Sequence, residues 1–70
     1  MNGGHWVHVD ERKLVMFVLD EYGDTVLEDI IPHDQPKLAA AETHLASFGW
    51  RRMGDWEKVA LHWTAEVERA

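Results

Sequence analysis

Asp34-Gln35-Pro36-Lys37-Leu38-Ala39-Ala40-Ala41-Glu42-Thr43-His44-Leu45-Ala46-Ser47-Phe48-Gly49-Trp50 is the stretch that decides the fold. Leu38, Ala41, Leu45 and Phe48 recur at spacings of three, four and three, which places them on one face of a helix. Asp34 is positioned to cap the first free amides, and Pro36 is tolerated in a first turn, where its missing N–H costs nothing. Lys37, in that first turn, opposes the helix dipole. Gly49 supplies the left-handed residue that closes a helix. This helix is amphipathic and isolated, so its apolar face requires a sheet to pack on.

The sequence before it reads as strands. His5-Trp6-Val7-His8-Val9 alternates with period two. Asp10-Glu11-Arg12-Lys13 forms a charged turn. Leu14-Val15-Met16-Phe17-Val18-Leu19 is short, rich in β-branched and aromatic residues, and reads as a strand buried on both faces. Asp20-Glu21-Tyr22-Gly23-Asp24 is a turn in which Gly23 takes a positive φ without steric cost. Thr25 to Ile31 is the return strand, ended by Pro32.

After the helix, Trp50-Arg51-Arg52-Met53 reads as a strand and Gly54-Asp55 as a turn. From Trp56 onward another strand is expected, with Val59, Leu61, Trp63, Ala65 and Val67 on one face. Val59, Trp63 and Val67 also fit helical spacing, so segment 59–69 stays open between strand and helix. Thr64 and the β-branched residues favour the strand. The expected fold is α+β: a small antiparallel sheet in β-β-β-α-β-β order with one amphipathic helix on one face. Residues 1–70 form a single domain, with 1–4 as a mobile tail. Leu14, Met16 and Val18 point to one side of the sheet, and Val15, Phe17 and Leu19 to the other. One helix covers only one of these faces, so the terminal hairpin, a second copy or a partner must cover the other.

Composition limits the function. A chain of 70 residues buries only about 60% of its unfolded surface. It contains no cysteine, which excludes disulfides and thiolate zinc sites. The net charge of −6 is unevenly distributed. Residues 1–34 carry eight acids (Asp10, Glu11, Asp20, Glu21, Asp24, Glu28, Asp29, Asp34) against Arg12 and Lys13. Residues 35–70 balance five acids with five bases. This field disfavours nucleic acid and anionic membrane, and favours a basic partner surface or simple solubility. The start lacks a basic region and an apolar run, and no apolar run approaches the ~20 residues of a membrane span. A cytoplasmic location is the default expectation.

No catalytic or cofactor signature appears. The lone Ser47 lacks a nucleophile-elbow context, and no threonine is N-terminal. Five histidines (His5, His8, His33, His44, His62) are expected as titrating surface groups, with no metal site. His5 and His8 fall on opposite strand faces, His33 beside a turn, His44 on the outer side of the helix and His62 on the outward face of the last strand. The acidic turn 20–24 lacks calcium-loop spacing. His62 and Glu66 are the one acid–base pair to consider. Trp50-Arg51-Arg52-Met53-Gly54-Asp55-Trp56 concentrates the residue types of binding hot spots. Trp50 and Trp63 are expected in the core, and Arg51, Arg52 and Trp56 are the candidate partner-binding residues, with Trp56 as an exposed anchor. The expected function is a small non-enzymatic accessory or inhibitor-like protein with a protein partner, alone or as a homodimer. The alternatives are a nucleic-acid module using the Trp/Arg hairpin, or a small enzyme or ligand binder with a site at a dimer interface.

Overall fold

The structure is a computed structural model and describes residues 4–32 and 34–70. The mobile-tail reading of residues 1–4 lies outside that range except at Gly4, and so does the position of His33. The fold is α+β. Six strands form one antiparallel sheet: β1 (His5–Asp10), β2 (Val15–Leu19), β3 (Thr25–Ile30), β4 (Trp50–Arg52), β5 (Glu57–Val59) and β6 (His62–Arg69). The order across the sheet is β3-β2-β1-β6-β4, and β5 also pairs with β6. Helix α1 (Lys37–Ser47) joins the two edges.

Side-chain alternation and register assign the faces. Val7 lies opposite Val18 on β2 and Ala65 on β6, and Val9 lies opposite Met16 and Trp63. Val7, Val9, Met16, Val18, Ala65 and Val67 are buried together with Ala40, Ala41 and Leu45 of α1. Small residues at 40 and 41 leave little side-chain bulk between helix and sheet. Ile31 and Trp50 close the two ends of this core, and Leu27, Leu38, Trp56 and Trp63 pack against its margin.

Two carboxylates organise the first turns. Asp10 Oδ1 accepts from the amides of Arg12 (2.8 Å) and Lys13 (3.1 Å). Asp20 Oδ1 accepts from the amides of Tyr22 (2.9 Å) and Asp24 (2.9 Å), while Gly23 takes φ +86°. These side-chain-to-backbone bonds reverse the chain without longer loops.

Several local expectations are corrected. Asp34 does not cap α1: Pro36 is the N-cap residue and no side chain bonds the first amides. Proline disfavours helical geometry in Gln35, so the helix cannot begin upstream of residue 36. Phe48 is 46% exposed because it lies at the C-cap, outside the helix, and Trp50 fills the core after the Gly49 turn. His44 is not on the outer side. It follows Ala40 by four residues and Ala41 by three, shares their face, and its Nδ1 lies 2.6 Å from Asp29 Oδ2 on β3.

The C-terminal segment is a hairpin, so 59–69 is neither one strand nor a helix. The chain reverses at Ala60-Leu61, with Ala60 at φ +55°. Val59 therefore lies opposite His62, on the face away from Trp63, Ala65 and Val67. Gly54-Asp55 is not a hairpin turn. It lies in a break along one edge: β4 pairs with the C-terminal half of β6 and β5 with the N-terminal half. The Met53 amide still donates to Glu66 O at 2.8 Å. Because this hairpin lies in the plane of the sheet, it does not cover the second face. Val15, Phe17 and Leu19 are only half-buried, so β2 is fully buried on one side alone.

Left-handed backbone at a non-glycine residue costs about 1–2 kcal/mol. Ala60→Gly is therefore expected to raise the unfolding free energy by about 0.5–1 kcal/mol, net of the added chain entropy. Gly49→Ala, at φ +86° with open space around the new Cβ, should lower it by about 1 kcal/mol. Urea denaturation of both variants checks the pair of signs.

Candidate docking face

The face opposite α1 can be laid out by register as three rows. The first runs Ile30, Val15, Asp10, His62, Val59; the second runs Glu28, Phe17, His8, Thr64, Glu57. In the third, Leu19, Trp6 and Glu66 are cross-strand neighbours, and Met53 continues the row through its bond to Glu66. Apolar and aromatic side chains (Ile30, Val15, Phe17, Leu19, Trp6 and Val59) share the face with His8, Thr64 and the Asp10–His62 pair, and Glu28, Glu57 and Glu66 flank them. Trp6 (43%), Val59 (52%), Met53 (54%) and Ile30 (73%) are unusually exposed for large apolar side chains. Two shallow grooves cross the face. One, of about 370 Å³, is lined by His8, Phe17, Val59 and His62; the other, of about 340 Å³, by Trp6, Trp56, Glu57 and Glu66. Thr64 lies in both.

His8 stacks on Phe17, with ring centroids 5.4 Å apart. Burial, and secondarily the neighbouring His62, hold its pKa below the usual histidine value of 6.5. His62 Nε2 lies 3.7 Å from Asp10 Oδ2. The amides of Lys13 and Arg12 hold the Asp10 carboxyl below its ordinary value. His62 and Glu66 do not form an acid–base pair. Four residues apart on one strand, they are separated by roughly 13 Å. Among the described residues, no group of three or more metal-ligating side chains comes together, and no helix is long and apolar enough to cross a membrane.

Arg51, Arg52 and Trp56 are engaged within the chain: by register Arg51 shares the open face with Glu68, Arg52 lies on the α1 side with Val67, and Trp56 borders one groove. Arg51 is exposed and pairs with Glu68. Arg52 is half-buried: its Nε donates to Glu42 Oε1 of α1 at 3.0 Å, and a terminal nitrogen donates to Gly54 O. Its guanidinium also lies 5.9 Å from the Trp56 ring centroid. Trp56 packs against the core, and its Nε1 is buried without a protein acceptor among the described residues. Trp56 is thus a half-buried structural residue at the groove's edge, not a fully exposed anchor. The other functional candidates, Trp6, Val59, Thr64, Glu57 and Glu66, were missed as a group. Only the pairing of β6 with both β1 and β5 brings them together.

Two further tryptophans are held by cations. Arg69 lies 4.5 Å from the Trp50 ring centroid and Lys58 5.1 Å from that of Trp63. Trp63 Nε1 donates to Glu11 Oε1 at 2.7 Å and Lys58 Nζ to the same oxygen at 3.2 Å, so these bonds hold the Glu11 carboxyl below its ordinary value. Searches against protein-family models, curated proteins and solved structures found no match to this chain.

Two outcomes follow from this geometry. Trp56→Ala should cost about 3 kcal/mol of stability, whereas Arg51→Ala should cost about 0.5 kcal/mol or less, as exposed ion pairs do; chemical denaturation separates them. Folding lowers the His8 pKa, so the unfolded chain takes up that proton first as pH falls. The stability from this site is complete above pH 6.5 and declines as pH drops through the lower folded value. His8→Gln should therefore flatten the pH dependence of stability between about pH 7 and 5, measured by urea unfolding at each pH.

Proposed function

We propose that this chain is a non-enzymatic binding module that docks a basic protein surface on the sheet face opposite α1. The observation that carries the reading is the group of incompletely covered apolar side chains on that face, Trp6, Val15, Phe17, Leu19 and Val59, flanked by Glu28, Glu57 and Glu66. An apolar patch of this order is often a functional surface. Five strands about 4.8 Å apart and three residue rows give a face on the order of 500 Å². A partner covering it buries about 1,000 Å² in total, near the lower bound for a specific interface.

Charge selects the partner. An apolar centre with an anionic border is complementary to an apolar patch flanked by Lys and Arg, and the net charge of −6 adds long-range attraction. A second copy of the chain is the rival occupant. It would bring glutamates against glutamates at the border, which disfavours the homodimer. Nucleic acid is supported less, because Arg51 and Arg52 are paired with Glu68 and Glu42 and the exposed face is acidic.

A photo-reactive residue placed at position 59, compared with one at Tyr22 on the far turn, tests this in nuclease-treated extract. The expected result is a position-59 crosslink to a basic protein. That protein, once purified, should lose about 2 kcal/mol or more of affinity for Val59→Asp and none for Tyr22→Ala. A crosslink from position 59 to another copy of the chain would establish the homodimer instead. Equal crosslinking from position 22 would remove the docking face altogether.

A further inference from the structure

Resting on that docking reading, we infer that the groove between Trp6 and Trp56 is a subsite for an arginine side chain of the partner. Three of the four tryptophans already carry a cation from the chain itself: Arg69 on Trp50, Lys58 on Trp63 and Arg52 on Trp56. Trp6 is the exception among the described residues, and it is also the most exposed of the four. Its cross-strand neighbour is Glu66. The two side chains converge: a Cβ built on Gly4 would lie 3.3 Å from Trp6 Nε1 and 3.2 Å from Glu66 Oε2.

Glu66 is half-buried and has no ion-pair partner among the described residues, unlike Glu11, Glu42 and Glu68. Glu57 lines the same groove from the facing strand. Thr64 lies between them. It is 8% exposed, and its Oγ1 is buried with no hydrogen-bond partner among the described residues. A carboxylate near the indole Nε1 of an exposed tryptophan, with an unpartnered hydroxyl lining the groove, suits a flat cation that stacks and donates several hydrogen bonds. Guanidinium does both; a lysine ammonium is a point charge without a stacking plane.

The test is a titration of the intact chain with N-acetyl-arginine methylamide, monitored through the four indole N–H resonances. The citrulline analogue, of the same shape without charge, is the control. The arginine probe should shift Trp6 saturably, and citrulline should bind about tenfold more weakly or worse. Glu66→Gln, a near-isosteric change at a residue without structural partners, should weaken the arginine probe about fivefold or more and leave the other three indoles in place. Trp6→Phe should retain part of the binding and Trp6→Ala none. Equal responses to both probes, no effect of Glu66→Gln, or a response centred on Trp50 or Trp63 would overturn the subsite. If the titration fails while Val59→Asp still abolishes partner binding, only the subsite is lost; if both fail, the docking reading is lost with it.

Discussion

One helix has to satisfy a sheet that is apolar on both sides, and most of the molecule follows from that imbalance. Helix α1 runs from one edge of the sheet to the other and covers Val7, Val9, Met16, Val18, Ala65 and Val67. Ala40 and Ala41, both buried, leave little side-chain bulk between it and the sheet. Among the described residues, nothing comparable lies over Val15, Phe17, Leu19 and Trp6. The terminal hairpin widens the sheet and adds Val59 to the open face. For so short a chain the core is only just sufficient, and a purely structural sheet would gain by carrying polar residues where these apolar ones stand.

The electrostatics repeat that division. Around the helix-covered layer, charges are paired: Arg52 with Glu42, Lys58 with Glu11, His44 with Asp29. These contacts hold the edges of the sheet and engage Arg52 and Lys58 within the chain. On the open face, Glu28, Glu57 and Glu66 have no such partners among the described residues. A folded chain of charge −6 therefore presents three uncompensated acids around its least covered apolar surface.

The sequence made the fold class and most elements legible because their signals are local. Alternation in β1, the charged turns and Gly49 at the helix end each depend on a few neighbouring residues. The Ala60-Leu61 turn was hidden because a left-handed alanine carries no glycine or asparagine signal. Reading across it as one strand put Val59 on the wrong face. Asp34 offered a plausible cap, but Pro36 fixed the start two residues later. The docking face was half legible: periodicity in β1 and β2 aligned Trp6, His8, Val15, Phe17 and Leu19. Thr64, Glu66 and Glu57 join it only through strand pairings distant in sequence. The same distance hid the ion pairs of Arg51 and Arg52, which local composition alone had marked as free for a partner.

The central claim is that this face is open to water in the isolated chain. It can be measured by NMR, from the relaxation that a soluble paramagnetic agent induces in side-chain methyls at low protein concentration. The account predicts strong broadening for Val59, Ile30 and Val15, and protection for Val7, Val18 and Leu45. Equal protection of both sets, in a sample shown by light scattering to be monomeric, would contradict it.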